Sequence, residues 1–492
     1  MSTLTILENG KSADLSFANG ENLLSFLRTH GYFVDAPCGG NGTCGKCRVL
    51  MRVGKTEQTV LACQTVLTQD CIATLPHRSS DLSWNDSAGT LHFVPGRTGL
   101  GAAIDLGTTT VAVKLYDLAD GAHLGTETAW NVQKAFGADV IARIGCCIER
   151  ADGLALLGDA IRGQIHELLQ TLCRKSGRFF GEITEIFLAG NTVMQHIFAD
   201  LSPASIASAP FTPLSLFDSG TPYVFDGIPV YLSPCVAGYV GGDITTGLLS
   251  TKLHERKGKS LFIDVGTNGE MALGGRDGFV CCAVASGPAF EGAGIECGMS
   301  ASFGAIHRVE LTCDGLTYEV LGGGEAEGIC GSGLLDLVAC LLDLGYLDES
   351  GCLAEDECGE AVFRLSEKVY ITQKDVRQLQ LAKAAVAAGI QRLMRSERVT
   401  FGDIDALYLA GGFGNRLRPE SAVRIGMLPR EIEIVPCGNS ALSGAETALL
   451  DPAARNTLRE IKANCRYLEL SSDAAFNDLF IEEMSFPEED IP

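Results

Sequence analysis

The chain has 492 residues, 46% of them hydrophobic and 20% charged, and carries a net charge of −23 from 38 basic and 61 acidic residues. That length admits two to four domains with separate cores, and the acidic excess tells against docking on a phosphate backbone, so no nucleic-acid partner is expected. No stretch reaches the roughly 20 apolar residues that span a bilayer, and MSTLTILENGKSADLSF lacks the basic-then-apolar order of an export signal, so a soluble cytoplasmic protein with no membrane partner is expected.

Without an export signal, the nineteen cysteines do not read as a disulfide framework. Clustered ones read as metal ligands and scattered ones as small buried hydrophobes. Residues 1–78 form a first unit. TLTILE, the turn Asn9-Gly10 and ADLSF predict a hairpin, and ENLLSFLRTH predicts a short helix with Leu23, Leu24 and Leu27 on one face, ended by Gly31. The loop PCGGNGTCGKC follows, and EQTVLACQTVL supplies a further strand around Cys63. The spacing Cys38-x5-Cys44-x2-Cys47, then fifteen residues to Cys63, lets three thiolates converge from one tight loop, as an iron–sulfur site requires. Gly39, Gly40, Gly42 and Gly45 permit positive φ and close approach of backbone N–H groups to the sulfurs. Zinc is the alternative, but a four-cysteine knuckle draws on two CxxC pairs and only one is present. Cys71 is the nearby competitor for the fourth position.

Hairpin, helix and cysteine loop together resemble the plant-type β-grasp ferredoxins across nearly all of 1–78. The first gap has five residues where the plant pattern has four, and the distance to Cys63 is short. The resemblance implies a [2Fe–2S] cluster on Cys38, Cys44, Cys47 and Cys63.

Residues 79–98 lose periodicity and gain Ser, Asp and Gly, which reads as a linker. From Gly101, AAIDLGTTTVAVKLYDLADG is a strand–turn–strand, and SLFIDVGTNGEMALGGRDG repeats the design about 160 residues later. Two halves on one plan follow, at about 99–250 and 251–460. In the first turn Asp105 is placed to hold Mg²⁺ or its waters, while Gly107, Thr108, Thr109 and Thr110 offer amide and hydroxyl donors to phosphate oxygens. Asp264, Gly266, Thr267, Asn268 and Gly269 repeat the device. In LYLAGGFGN, Gly411, Gly412 and Gly414 follow a strand and leave bare backbone for an adenine ring. One such turn alone is as well read as a plain hairpin. In order and at this spacing, the three resemble the phosphate and adenosine motifs of the superfamily of acetate kinase, sugar kinases, heat-shock chaperone ATPases and actin. That resemblance covers 99–460 and implies a duplicated ribonuclease-H-like fold with ATP between two lobes. The expected class is α/β plus α+β, a β-grasp ferredoxin followed by this ATPase. Asp243 and Glu291 are the carboxylates considered for orienting water, with a satisfied structural role as the alternative for each. GICGSGLLD (328–336) reads as a glycine-rich crossing between lobes, and 461–492 as a solvated acidic tail.

A one-electron carrier fused to an ATPase makes sense where an electron moves uphill. From a cluster near about −400 mV, a climb of roughly 200 mV costs about 5 kcal/mol, within reach of nucleotide-driven coupling. The combination, with NVQKAFGADVIARI, LAGNTVMQHIF, VGGDITTGLL and ASGPAFEGAGI, resembles the reductive activators of corrinoid-dependent methyltransferases. The resemblance implies ATP-dependent return of Co(II) to Co(I), a corrinoid protein as partner, an electron donor that reloads the cluster, and a homodimer as one assembly. Better-known members carry a long linker and an extra middle domain; here about twenty residues intervene. Rival readings are a small-molecule kinase with a regulatory cluster, an activator of another low-potential metalloenzyme such as a radical dehydratase, and an electron shuttle whose nucleotide site gates docking.

Overall fold

The computed structural model describes all residues except 1, 9, 10, 31, 33, 35–39, 41, 43–46, 76–91, 267, 314, 357, 415 and 489–492. Cys38, Cys44, Thr267 and most of the expected linker therefore lie outside the described residues.

The first unit is a five-stranded mixed sheet ordered β2-β1-β5-β3-β4, built from β1 (Ser2–Glu8), β2 (Lys11–Phe17), β3 (Arg48–Val53), β4 (Thr56–Leu61) and β5 (Cys71–Thr74). Alternation buries Leu4 and Ile6 of β1 against Leu23, Leu24 and Leu27 of helix α1 (Leu23–Thr29). Asn22 starts that helix, its side chain accepting from the Ser25 amide at 3.1 Å.

Two six-stranded sheets of one design follow. In the first, β6 (Leu100–Leu106), β7 (Thr110–Asp117) and β8 (His123–Trp130) form an antiparallel meander. After α2 (Val140–Glu149) and α3 (Gly153–Lys175), β9 (Ile183–Gly190) joins β6 in parallel. Helix α4 (Thr192–Phe198), β10 (Tyr223–Phe225), β11 (Ile228–Leu232) and α5 (Gly242–Ser250) complete the lobe. The second sheet repeats the meander with β12 (Lys259–Val265), β13 (Gly269–Gly275) and β14 (Gly278–Val284). An inserted sheet of β15 (Ala305–Thr312), β16 (Gly315–Val320) and β17 (Gly328–Ile329) precedes α6 (Gly331–Asp343), the short hairpin β18 (Val362–Arg364)–β19 (Tyr370–Thr372) and α7 (Gln373–Glu397). Then β20 (Ile404–Ala410) pairs in parallel with β12, followed by α8 (Pro419–Arg424), β21 (Ile434–Pro436), α9 (Ser440–Leu450) and α10 (Ala454–Ala463). Strands buried on both faces read as continuous apolar runs, which is why LGAAIDL and KSLFIDV each carry a single carboxylate, Asp105 and Asp264, near the end.

The inner faces of the sheets share one core, with Ala103 and Phe187 from the first, Phe262 and Tyr408 from the second, and Ile244, Leu248, Ala445 and Leu449 from α5 and α9. The helices are exchanged. α9 belongs to the second half yet packs on β6 and β9, and Phe262 of β12 presses its ring on Gly247 of α5. Where α5 and α9 cross, a Cβ on Gly444 would stand 2.1 Å from the Thr246 carbonyl oxygen, so the two backbones touch.

Two expectations change. The GICGSGLLD segment starts α6 inside the second lobe; a Cβ on Gly331 would meet the Phe290 carbonyl at 1.9 Å. The stretch 461–488 is also no solvated tail. β22 (Cys465–Tyr467) lengthens the second sheet beside β14, and α11 (Ala474–Glu482) packs on α7. Leu470, Leu479 and Phe486 are 3%, 0% and 3% exposed; these apolar anchors, spaced among the acids, carry the segment inward. Among the described residues no helix is long and apolar enough to cross a membrane.

Gly444→Val would force the crossing helices apart. The expected outcome is a loss of about 2–3 kcal/mol, measured as a lower midpoint in urea followed by circular dichroism, while the iron–sulfur absorbance of the N-terminal unit is unchanged.

Candidate functional site

Both phosphate-type hairpins open on the same cleft. In the first, Asn131 Nδ2 donates to the Gly107 carbonyl at 2.9 Å, the Asn131 amide donates to the Thr109 carbonyl at 2.9 Å, and Arg143 Nη2 donates to the Thr108 carbonyl at 2.5 Å. Asn191, the cap of α4, donates to the Thr108 hydroxyl at 2.9 Å. In the second hairpin, the Gly266 amide donates to the Asn268 carbonyl at 3.0 Å and Ser286 donates to the Gly266 carbonyl at 3.3 Å. Asp264 pairs with Glu270 across β12–β13 and with Ala410 across β12–β20. The third element leaves β20 there. Gly411 adopts φ +91, and a Cβ on it would lie 2.4 Å from Asp264 Oδ1, so a side chain at that position would evict the carboxylate. Gly412 and Gly414 follow, and a Cβ on Gly414 would lie 2.2 Å from the Ala410 oxygen. Phe413 stacks on Phe290 with ring centroids 4.7 Å apart. One residue after Phe290, Glu291 accepts from the Thr109 hydroxyl at 2.9 Å, a hydrogen bond from one lobe to the other.

The cleft floor is electrostatically unbalanced. Asp105, Asp243 and Asp264 are partly exposed, with protein enclosing most of each. Burial pushes Asp105 up to about 6, against the Asn439 side chain that donates to it at 2.8 Å. Asp264 rises to about 7 through burial and the charge of Asp105. Asp243, in the first turn of α5, rises to about 8 through burial, Asp264 and Asp105. Glu270, 7% exposed, is driven well up by burial and by Asp243 and Asp264. Among the described residues no group of three or more His, Cys, Asp or Glu side chains is gathered to hold a metal ion. A cation here needs water and phosphate oxygens to complete its shell, the habit of Mg²⁺.

In the N-terminal unit, Cys47 stands just before β3, and Cys63 lies on a one-turn 3₁₀ helix (Ala62–Gln64) after β4, not within the strand expected around it. Their sulfurs are 3.2 Å apart, and the Cys63 amide donates to Cys47 Sγ at 3.5 Å. Asn22 Nδ2 anchors the Cys63 carbonyl at 2.8 Å. Gly40 and Gly42, at φ +99 and +76, give the preceding loop the left-handed turns it needs. Two converging thiols with an amide aimed at one sulfur fit a thiolate-held iron–sulfur group. Cys71 sits opposite Leu4 in the sheet, inside the core, where burial and then Asp70 push its thiol up and disfavour the thiolate.

Sequence reasoning passed over Glu270, Arg143, Asn131, Asn191 and Asn439. Some of these left signals. LAGNT and PCGNS (436–440) both put an Asn at a helix start, and Glu270 is the lone carboxylate in the apolar strand GEMALGG.

Three family models match the chain: 2Fe-2S iron-sulfur cluster binding domain over 6–68, RACo middle region over 100–256, and C-terminal domain of RACo the ASKHA domain over 258–492. The middle region whose absence the short linker suggested is thus matched by the first six-stranded lobe. Corrinoid activation enzyme RamQ of Eubacterium limosum is 33% identical over 426 residues, 78% of this chain and 70% of that one. The [Co(II) methylated amine-specific corrinoid protein] reductase of Methanosarcina barkeri is 25% identical over 439 residues, 80% of this chain and 78% of its own. A solved structure, a reductive activator for corrinoid,iron-sulfur protein, superposes with a TM-score of 0.70 at 32% identity over 99% of both chains.

The raised carboxylates set a sign for stability against pH. A folded protein that keeps a proton on Asp243 up to about 8, when the ordinary value is 3.8, loses stability as pH rises between those two values. Asn cannot ionise, so the advantage of Asp243→Asn over wild type in thermal midpoint is expected to widen from pH 4 to pH 8 and to level off above. A constant difference across that range would show that Asp243 is ionised throughout.

Proposed function

The chain belongs to the family of reductive activators of corrinoid proteins, and on that footing we propose that it returns a Co(II) corrinoid protein to Co(I) at the expense of ATP. One observation carries the reading. A single chain holds a converging cysteine pair and, separately, a cleft in which two lobes are joined through the groups that face the phosphates, Thr109 and Glu291.

Cys38, Cys44, Cys47 and Cys63 are the proposed ligands of the [2Fe–2S] cluster, which when bound supplies one electron at low potential. Asp105 and Asp264 are proposed to hold Mg²⁺ or its waters, and its charge would offset the burial that lifts all four carboxylates and the like-charge repulsion that adds to it at Asp243, Asp264 and Glu270. Gly107 to Thr110 and Gly266 to Gly269 would receive the phosphates from opposite lobes, and Gly411, Gly412 and Gly414 the adenosine. Of the two carboxylates considered for orienting water, Asp243 holds its proton near neutral pH in these surroundings, whereas Glu291 is already oriented by Thr109. Glu291 is therefore the preferred group and Asp243 the supporting one.

Coupling needs only that ATP favour one arrangement of the lobes. A phosphate at the first hairpin competes with Glu291 for the Thr109 hydroxyl and repels that carboxylate, so nucleotide occupancy acts directly on the link between lobes. The described cysteines are all free thiols, which accords with a reducing, cytoplasmic setting. A separate electron donor is proposed to reload the cluster.

Anaerobically prepared protein should be red-brown, with about two irons and two sulfides per chain. Cys47→Ser should bleach it and Cys71→Ser leave the spectrum intact; colourless protein with one zinc would overturn the cluster assignment.

With excess chemical reductant and a Co(II) corrinoid protein, Co(I) absorbance should grow only when Mg-ATP is added. Cys47→Ser should fail for want of an electron and Asp264→Ala for want of coupling. Equal Co(I) yield without ATP would leave a simple shuttle, and phosphorylation of a small metabolite instead would favour a kinase.

A further inference from the structure

The three consecutive carbonyls of the first phosphate hairpin, those of Gly107, Thr108 and Thr109, all meet donors from fully buried residues of the first lobe. Asn131 takes the outer two, at 2.9 Å each, and Arg143 takes the middle one at 2.5 Å. A trans peptide sets its N–H opposite its carbonyl. Pinning the Gly107 and Thr108 oxygens toward the lobe interior therefore turns the Thr108 and Thr109 amides the other way, toward the cleft where Thr109 meets Glu291.

Arg143 is an unusual choice of pin. It is 0% exposed, and its other hydrogen bonds run to the Gly137 carbonyl at 3.1 Å, Gln133 Oε1 at 3.2 Å and Met194 Sδ at 2.9 Å. Burying a guanidinium is costly, and a neutral amide, such as Asn131 on either side, is enough to hold a carbonyl. Burial lowers Arg143 to about 9, opposed by Asp139 and by Glu291 of the other lobe, so it stays charged at neutral pH. Of the three buried Lys and Arg side chains among the described residues, Lys114 is paired with Glu446 at 2.9 Å and Lys383 donates to the Ser485 carbonyl. Arg143 alone among them is bonded to a hairpin of the cleft. Bonded to the Thr108 carbonyl and felt by Glu291 across the cleft, it is a fixed positive charge beneath the hairpin that is to hold phosphates.

We propose that Arg143 is the positioning residue of the ATP site, holding the Thr108 carbonyl toward the lobe interior so that the loop amides face the phosphates and placing a buried positive charge behind them. It acts through the loop and touches no nucleotide. The inference rests on the reading of the cleft as an ATP site.

The test uses the full, cluster-loaded chain, with Arg143→Ala, Arg143→Lys and Asp264→Ala compared for ATP turnover and for ATP binding by calorimetry. Loss of a hydrogen bond from a charged group predicts a KM for ATP raised roughly tenfold to a hundredfold in Arg143→Ala, with a much smaller change in kcat, because the loop holds phosphates alike in ground and transition states. Guanidinium ion at millimolar concentration should fill the vacated pocket and restore most of kcat/KM in that variant alone. If Arg143→Ala does not fold, Arg143→Lys carries the comparison: an ammonium reaches fewer of the four partners, and a KM raised several-fold at an unchanged thermal midpoint supports the proposal. A wild-type KM in a folded Arg143 variant, or a loss of turnover that guanidinium does not reverse while KM stays put, overturns it. Failure of the cleft reading looks different, since Asp264→Ala would then also bind and turn over ATP as wild type does.

Discussion

The close crossing of α5 and α9 is the contact on which the rest of the ATPase depends. With no side chain at Gly444, the helices meet backbone to backbone at Thr246, and each packs against the sheet of the other half. Their N-terminal ends arrive together as a result. Asp243 stands in the first turn of α5, and Asn439, the cap of α9, donates to Asp105. Two helix starts converge on one floor, and their dipoles favour anions there. The cleft is thus a product of helix packing before it is a product of loops.

That floor is also where the chain departs furthest from ordinary stability. Four carboxylates are enclosed together, each raised by burial and, in all but Asp105, by neighbours of like charge. Several charges elsewhere are matched: Arg97 and Arg455 both reach Glu185, at 2.5 and 2.8 Å, and Arg178 joins Asp117 at 2.7 Å. Interiors tolerate unbalanced charge where a ligand completes it. The four gathered carboxylates stand at the base of both phosphate hairpins.

Much of this was legible in the chain. The DLGTTT and DVGTNG turns announced two halves because both faces of their strands are buried, which leaves a lone aspartate conspicuous. The cysteine loop was equally plain in its glycines. Less legible were residues whose role depends on a partner far away in sequence. Arg143 is one polar residue on a helix until Thr108 is brought beneath it, 35 positions earlier. Asn439 reads as a helix cap, which it is, yet its other hydrogen bond crosses 334 positions to Asp105. In the C-terminal stretch net charge misled, because three apolar side chains decide where twenty-odd residues go.

The exchange of α5 and α9 bears on how the chain becomes folded. β6, β7 and β9 are complete as a sheet once Gly190 has been synthesised, but the cover of their inner face, Leu442 to Leu450, lies some 250 residues further on. A fragment ending at 256 would leave Ala103, Phe187 and Ala189 without that cover, an apolar surface open to aggregation. The boundary between the two matched regions at 256–258 is therefore a boundary of sequence kinship and not one between separate cores, since residues from both sides of it share one core.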